Sequence, residues 1–140
     1  MNINELQEIF KNTEIDNDKV VIKDDFLNIM ELVKNTYHFD MLREIIAVDN
    51  GEAGIELIYN LYSTENEEEL KISVTVNEEA LSVSKLFDSA VADENEIYDL
   101  FGVKFTGNDK LKRLYLPESW EGHPLRKDYE EKDERLRWNE

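Results

Sequence analysis

Few residues in this sequence have the types and spacing that catalysis, cofactor binding or metal binding requires. The two histidines, His38 and His123, are not followed by a second His or Cys at the spacing of a helical metal site. No phosphate-cradling glycine loop, nucleophile elbow, HExxH pattern or EF-hand pattern is present. The absence of cysteine excludes disulfides, thiolate-held iron–sulfur clusters and Cys-based zinc sites. The sequence therefore predicts no catalytic residue, no cofactor and no metal site.

One pair of acidic residues, Glu94 and Glu96, could serve acid–base or metal chemistry. The same residues fit a capping box, in which Asp93 accepts the amide of Glu96 and Glu96 reaches back. The capping box is the favoured interpretation. It predicts a helix over residues 94–101 that ends at Gly102 in the left-handed conformation.

A second group of interest is the triplet Arg126-Lys127-Asp128, whose side chains could form charge-assisted hydrogen bonds. Aromatic and backbone-restricting residues surround it, among them Trp120, Pro124 and Tyr129. Leaving Trp and Tyr side chains exposed to water costs free energy, so this segment is expected to pack against a protein surface. On physical grounds that surface is either the rest of this chain or another protein, and both alternatives stay open.

The elements that would position these groups follow from hydrophobic periodicity. Helices are predicted over residues 4–11, from Asp24 or Asp25 to about Thr36, and over 84–90. Strands are predicted over 20–22, 41–49, 54–63 and 70–76, with a loop at 65–69. The predicted fold is α+β: N-terminal helices packed on an antiparallel three- to four-stranded sheet, followed by a helix and an extended C-terminal arm. The predicted boundary separates an α+β domain at 1–116 from a docking arm and charged tail at 117–140.

Charge is distributed unevenly along the 140 residues, whose net charge is −17. Residues 1–103 carry 24 Asp/Glu against 7 Lys/Arg, whereas residues 104–140 carry 9 of each. The acidic part argues against nucleic-acid binding. The N-terminus lacks the features of a signal peptide, and no apolar run is long enough for direct membrane insertion.

Three segments of the sequence carry a family resemblance: ENEIYDLFGVKFTGN at 94–108, LKRLYLP at 111–117 and WEGHPLRKDY at 120–129. Together they resemble the signature of the 30 kDa subunit, also called the C subunit, of NADH:quinone oxidoreductase. That family includes the small partner subunit of energy-converting NiFe hydrogenase and formate hydrogenlyase. The sequence departs from the family at Asn95, where Arg is common, and at Asn108, where His is common.

The resemblance implies a non-catalytic docking subunit of a membrane-associated redox complex, without cofactors, that binds the large NiFe-type or quinone-site subunit. It implies a cytoplasmic location, attached to the inner face of the cell membrane through partner subunits. The residues implied for partner binding are Trp120, Glu121, Gly122, His123, Pro124, Leu125, Arg126, Lys127, Asp128 and Tyr129. The residues implied to hold the motif's own fold are Glu94, Glu96, Tyr98, Asp99, Phe101, Gly102, Phe105, Gly107 and Arg113.

Two other classes of function remain as alternatives. A stand-alone acidic interaction protein, with no redox partner, would place its function in the first 103 residues. An independent hydrolase or metal-dependent enzyme would use clustered carboxylates, and it predicts carboxyl groups with raised pKa values in a concave site.

Overall fold

The computed structural model describes residues 13–16, 19–111 and 122–125. Within these ranges the chain forms seven strands and two α-helices. In chain order they are β1 (Thr13–Asp16), β2 (Lys19–Ile22), α1 (Phe26–Asn35), β3 (Met41–Asp49), β4 (Ile55–Ser63), β5 (Glu68–Val76), β6 (Glu79–Leu81), α2 (Ala90–Phe101) and β7 (Lys104–Thr106). A 3-10 turn at Gly51–Ala53 joins β3 to β4. The predicted α+β class is confirmed.

Strands β3, β4 and β5 form the predicted antiparallel meander. Alternate side chains of β4 are fully or almost fully buried, namely Ile55, Leu57, Tyr59 and Leu61. This period of two places one apolar face of the strand against the helices. Strand β5 begins at Glu68, so part of the predicted 65–69 loop is strand, and Ser63 pairs with Glu68 across a tight turn.

The sheet is larger and more mixed than the predicted antiparallel one. It has five strands in the order β1-β2-β5-β4-β3. β2 runs parallel to β5, with Val20 opposite Ile72, and β1 pairs antiparallel with β2. A four-residue strand carries no local signal of its partner's direction. The parallel pairing arises because α1 and the meander connect β2 to β5, as parallel neighbours require.

Helix α1 confirms the helix predicted over residues 26–36. It buries Phe26, Ile29, Met30 and Val33 at helical spacing, and the Phe26 ring centroid lies 5.1 Å from that of Tyr59. The predicted side-chain cap is wrong. Asp25 precedes the helix in the left-handed region, with φ 59°, and its side chain makes no capping hydrogen bond.

Helix α2 starts four residues earlier than predicted, at Ala90, and the segment predicted as a short helix before it forms turns. Asp93 therefore lies inside the first turn of α2 and is not its N-cap, so the capping box is wrong. The helix ends at Gly102 with φ 79°, as predicted. Ile97 lies on the buried face of α2, whereas Leu100 and Phe101 are only half-buried.

A second sheet of two short parallel strands, β6 and β7, was not predicted. Ala80 lies opposite Phe105, and both side chains are buried. Three-residue strands give too little alternation to be recognised in a sequence.

Two predicted segments lie outside the described residues, namely the helix at 4–11 and most of the arm at 117–140. Within the part of the chain that the structure describes, no helix is long and apolar enough to span a bilayer.

The packing of α1 predicts a contrast between two of its side chains. Met30 is fully buried, whereas Leu27 on the same helix is 37% exposed. We expect Met30→Ala to lower the free energy of unfolding by about 2–5 kcal/mol, because it leaves a cavity in the core. The matched control, Leu27→Ala, should cost about 1 kcal/mol or less. Urea denaturation measures both, and equal losses would show that α1 does not pack as described.

Candidate docking site

The segment Gly122–Leu125 lies on the C-terminal turn of α2. The backbone N–H of Leu125 donates to the carbonyl oxygen of Leu100 at 2.8 Å. The Nδ1 of His123 lies 2.9 Å from the carbonyl oxygen of Asp99, which can only accept, so this nitrogen donates. The last carbonyl groups of a helix lack partners within the helix. The later segment therefore satisfies two carbonyl groups at the end of α2.

Gly102 makes this contact possible in two ways. Its φ of 79° is unfavourable for a residue with a side chain, and a Cβ at this position would lie 2.6 Å from His123 Cδ2. The His123 ring also packs at a tilt against Tyr98, with 5.9 Å between ring centroids. The family motif's glycine and histidine, predicted separately, thus form one contact. We refer to residues 98–102 and 122–125 as the α2 seat.

Hydrogen bonds within the α2 seat anchor the segment 122–125 on the helix, but they leave one apolar side chain of that segment exposed to solvent. His123 and Pro124 are half-buried, whereas the Leu125 side chain is 53% exposed. Of the ten residues predicted to bind a partner, these three and Gly122 are described. The others are Trp120, Glu121, Arg126, Lys127, Asp128 and Tyr129, and they lie outside the described residues.

A buried carboxylate lies deeper in the same helix. Glu94 is completely inaccessible to solvent, and three donors surround it. Its Oε1 accepts from the Ser82 hydroxyl at 2.6 Å and from Asn108 Nδ2 at 3.0 Å, and its Oε2 accepts from the Val83 backbone N–H at 2.9 Å. The Ser84 N–H in turn donates to Ser82 Oγ at 3.0 Å. Glu94 thus joins α2 to the segments after β6 and after β7.

Burial raises the pKa of Glu94 above its ordinary value of 4.5, although the hydrogen bonds from Ser82, Val83 and Asn108 oppose the rise. The network can take up a proton, since a protonated Oε1 can donate to Ser82 Oγ and that hydroxyl can turn to Ser84 Oγ, 2.8 Å away. Burial also raises the pKa of Asp93, and the charges of Glu96 and Glu44 add to the rise.

The remaining motif residues occupy the surroundings of α2. Asp99 and Phe105 are buried, Gly107 has φ 100°, and Glu96, Tyr98 and Phe101 are half-buried. Arg113 lies outside the described residues.

The sequence did not single out Ser82 or Val83, and no periodic or motif signal marks a residue whose only role is to donate to a distant carboxylate.

This arrangement does not provide an accessible acid–base site. Glu94 has no exposed surface, and donors occupy both of its oxygens. Across residues 13–16, 19–111 and 122–125 there is no group of three or more His, Cys, Asp or Glu that could hold a metal ion. The geometry fits an internal brace beneath a surface contact better than a catalytic centre.

A glycine pair tests the α2 seat. Gly102 and Gly51 both have positive φ, at 79° and 69°, but a Cβ at Gly51 would meet nothing within 4 Å. We expect Gly102→Ala to destabilise the chain by about 1–3 kcal/mol more than Gly51→Ala, because only the first adds overlap to backbone strain. Thermal or urea denaturation measures the difference. His123→Ala should recover part of the extra loss in a double variant. Equal losses at the two glycines would contradict the contact.

Glu94→Gln tests the buried network. The side-chain nitrogen of Gln can only donate, yet it would occupy a position where an oxygen of Glu94 accepts from a donor. We therefore expect the free energy of unfolding to fall by about 1–3 kcal/mol. The matched control is Glu78→Gln at an exposed position, which should change stability by less than about 0.5 kcal/mol. An unchanged stability of Glu94→Gln would show that the three donors do not require a carboxyl group.

The raised pKa of Glu94 predicts a pH dependence of known sign. The folded state holds the Glu94 proton more tightly than the unfolded state does, so this group contributes most stability below its ordinary pKa of 4.5. That contribution is lost as the pH rises through the pKa of the folded state. We therefore expect the stability difference between wild type and Glu94→Gln to shrink with rising pH. Denaturation curves from about pH 4.5 to 7 measure it, and a growing difference would reverse the sign.

The family described as "Respiratory-chain NADH dehydrogenase, 30 Kd subunit" matches residues 20–135. The C subunit of NADH-quinone oxidoreductase from Moorella thermoacetica is 36% identical over 136 residues, which cover 91% of this chain and 92% of that protein. The C/D subunit of the same enzyme from Phocaeicola vulgatus is 40% identical over 98 residues. That match covers 67% of this chain but only 19% of the C/D protein.

A similar fold occurs in a solved structure of the membrane-bound sulfane sulfur reductase, an archaeal respiratory membrane complex. The TM-score is 0.72, and the match covers 91% of this chain and 83% of the other at 24% identity. Identity at this level supports the fold alone. The family match and the relative from Moorella thermoacetica together show that this chain belongs to the family of the 30 kDa subunit of respiratory-chain NADH dehydrogenase.

Proposed function

We propose that this chain is a non-catalytic docking subunit that binds the large, NiFe-type or quinone-site subunit of its complex through residues 117–140. The chain is a subunit of a respiratory complex of the NADH-quinone oxidoreductase type. The proposal adds the identity of the partner, the surface that meets it and the absence of any cofactor in this chain. It also divides the chain into an α+β domain at 1–116 and a docking arm.

The observation that carries the proposal is the α2 seat. Two hydrogen bonds to the end of α2, one from the His123 side chain and one from the Leu125 backbone N–H, fix the course of the chain just before Arg126, Lys127 and Asp128 in the sequence. The Leu125 side chain is nevertheless 53% exposed. A segment that is anchored by hydrogen bonds and presents an apolar side chain is preorganised for binding, because part of its ordering entropy is lost before the partner arrives.

The distribution of charge along the chain also supports docking through residues 117–140. The acidic excess of the chain lies before residue 104, and the last 37 residues are neutral overall. Arg and aromatic side chains such as Trp120, Arg126 and Tyr129 are typical of contact surfaces. In the cell, we propose that the chain lies in the cytoplasm at the inner face of the membrane, held there through its partner subunits.

The alternative of a stand-alone acidic interaction protein is disfavoured by the family match, which makes this chain a subunit of a larger complex. That alternative places binding in residues 1–103, where the acidic excess lies, and it requires nothing of residues 117–140. The two candidates therefore make different predictions: binding depends on residues 117–140 in the first and on residues 1–103 in the second.

Co-purification from the native host, with a tag on this chain, tests the proposal. We expect Arg126→Ala/Lys127→Ala to lower recovery of the large subunit about tenfold or more, because losing charges buried at an interface costs a few kcal/mol. The free energy of unfolding of the isolated chain should change by less than about 1 kcal/mol.

The matched control is Lys104→Ala/Lys110→Ala, which removes two exposed positive charges from the described domain. It should leave recovery of the large subunit unchanged. If the two double variants lose the large subunit equally, net charge and not the arm governs assembly. If the tagged wild-type chain recovers no large subunit, the proposal fails.

A further inference from the structure

An apolar cleft of about 290 Å³ opens beside the sheet, where the start of α1, the end of β5 and the small β6–β7 sheet meet. Its lining includes Phe26, Val74, Val76, Ala80, Leu81 and Thr106. Leu81 at its rim is 46% exposed. The volume lies at the lower limit of small-molecule pockets, which favours a few apolar side chains over a cofactor as its occupant.

Strand register shows which part of the chain arrives at this cleft. Thr13, the first residue of β1, lies opposite Ile22, the last residue of β2. Val21 lies opposite Ser73 in the parallel β2–β5 pair, so Ile22 is level with Val74. Because β1 is antiparallel to β2, the residues before Thr13 come from the end of the sheet at which the cleft lies.

Distance restricts the choice of surface. Neighbouring strands are about 4.8 Å apart, so β1 lies about 10 Å from β5, on the far side of β2. Phe10 is three residues before Thr13 and can reach about 10 Å. The exposed apolar side chains Ile46 and Val48 lie on β3, four strand spacings away at about 19 Å, and are beyond that reach.

Residues 1–12 have the chemistry that this cleft requires. Leu6, Ile9 and Phe10 share one face at helical spacing, Glu8 falls between them in the sequence, and Glu5 precedes them. An amphipathic segment of this kind must bury its apolar face to be stable.

We propose that the N-terminal segment of this same chain, residues 1–12, closes the cleft, with Leu6, Ile9 and Phe10 packed against its apolar wall. The cleft is thus an intramolecular docking surface, on the helix-covered side of the sheet. The proposal does not depend on the proposed function, because it concerns the opposite end of the chain from the docking arm.

The absence of cysteine makes a direct test possible, since any introduced pair is the only pair. The test pair is Phe10→Cys with Leu81→Cys, and the matched control is Phe10→Cys with Ile46→Cys. Leu81 and Ile46 are 46% and 43% exposed, so neither replacement opens the core. A disulfide requires Cα atoms about 4.4–6.8 Å apart, so only cysteines held together should react.

Mild oxidation of the full chain should give an intramolecular disulfide in the test pair about tenfold faster than in the control pair, through a higher effective concentration. A second pair, Lys11→Cys with Leu81→Cys, keeps all three apolar side chains and should react in the same way. Peptide mass mapping and non-reducing electrophoresis identify the products. Equal rates in test and control pairs would overturn the proposal. Covalent dimers from the test pair would mean that a second copy fills the cleft, and would also overturn it.

Discussion

A carboxylate with no access to water must find its partners inside the protein, and Glu94 finds three of them in two separate parts of the chain. Ser82 and Val83 follow β6, and Asn108 follows β7. Glu94 itself stands in the first half of α2, so its two oxygens fix the helix against the segments that leave the small sheet at the C-terminal ends of both strands. The α2 seat depends on this bracing, because a helix that could shift would move the carbonyl groups of Asp99 and Leu100 to which the later segment binds.

This arrangement explains why polar residues fall on the buried side of α2. Glu94, Asn95 and Asp99 are buried on this helix together with Ile97, and the helix is correspondingly less amphipathic than α1. A buried polar group costs free energy unless it is hydrogen-bonded, so such residues fix one arrangement of their neighbours where apolar contacts would tolerate several. A subunit whose role is to present a surface at a defined angle benefits from that specificity.

The sequence predicted the parts of the fold that depend on local periodicity. The meander of β3, β4 and β5 follows from alternation, and α1 follows from the spacing of Phe26, Ile29, Met30 and Val33. The start of α2 could not be found in the same way, because Asp93 and Glu96 match a capping pattern that the buried position of Glu94 overrides. The direction of β2 was equally hidden, since strand pairing across some fifty residues leaves no mark on four residues of sequence.

At the candidate site, Gly102 and His123 were both singled out, but their contact joins positions 21 residues apart and no pattern within either segment specifies it. The family resemblance placed both residues in motifs without relating them to each other. Ser82 and Val83 escaped notice because a hydroxyl or a backbone amide that donates to a carboxylate has no sequence signature of its own.

The parallel junction between β2 and β5 has a consequence for the way this domain opens. Short connections join β3, β4 and β5 to one another. Among the described residues, the backbone of the β1–β2 hairpin pairs with the rest of the sheet along one short run, from Lys19 to Val21, and the Lys19 side chain adds an ion pair with Glu56 of β4. Regions with few cross-strand bonds exchange their amide hydrogens through sub-global opening, well below the free energy of complete unfolding. Strand β1 lies at the outer edge of this junction, whereas Val20 and Ile22 of β2 are buried in the core. Among the described strands, β1 is therefore the one expected to exchange its amide hydrogens first.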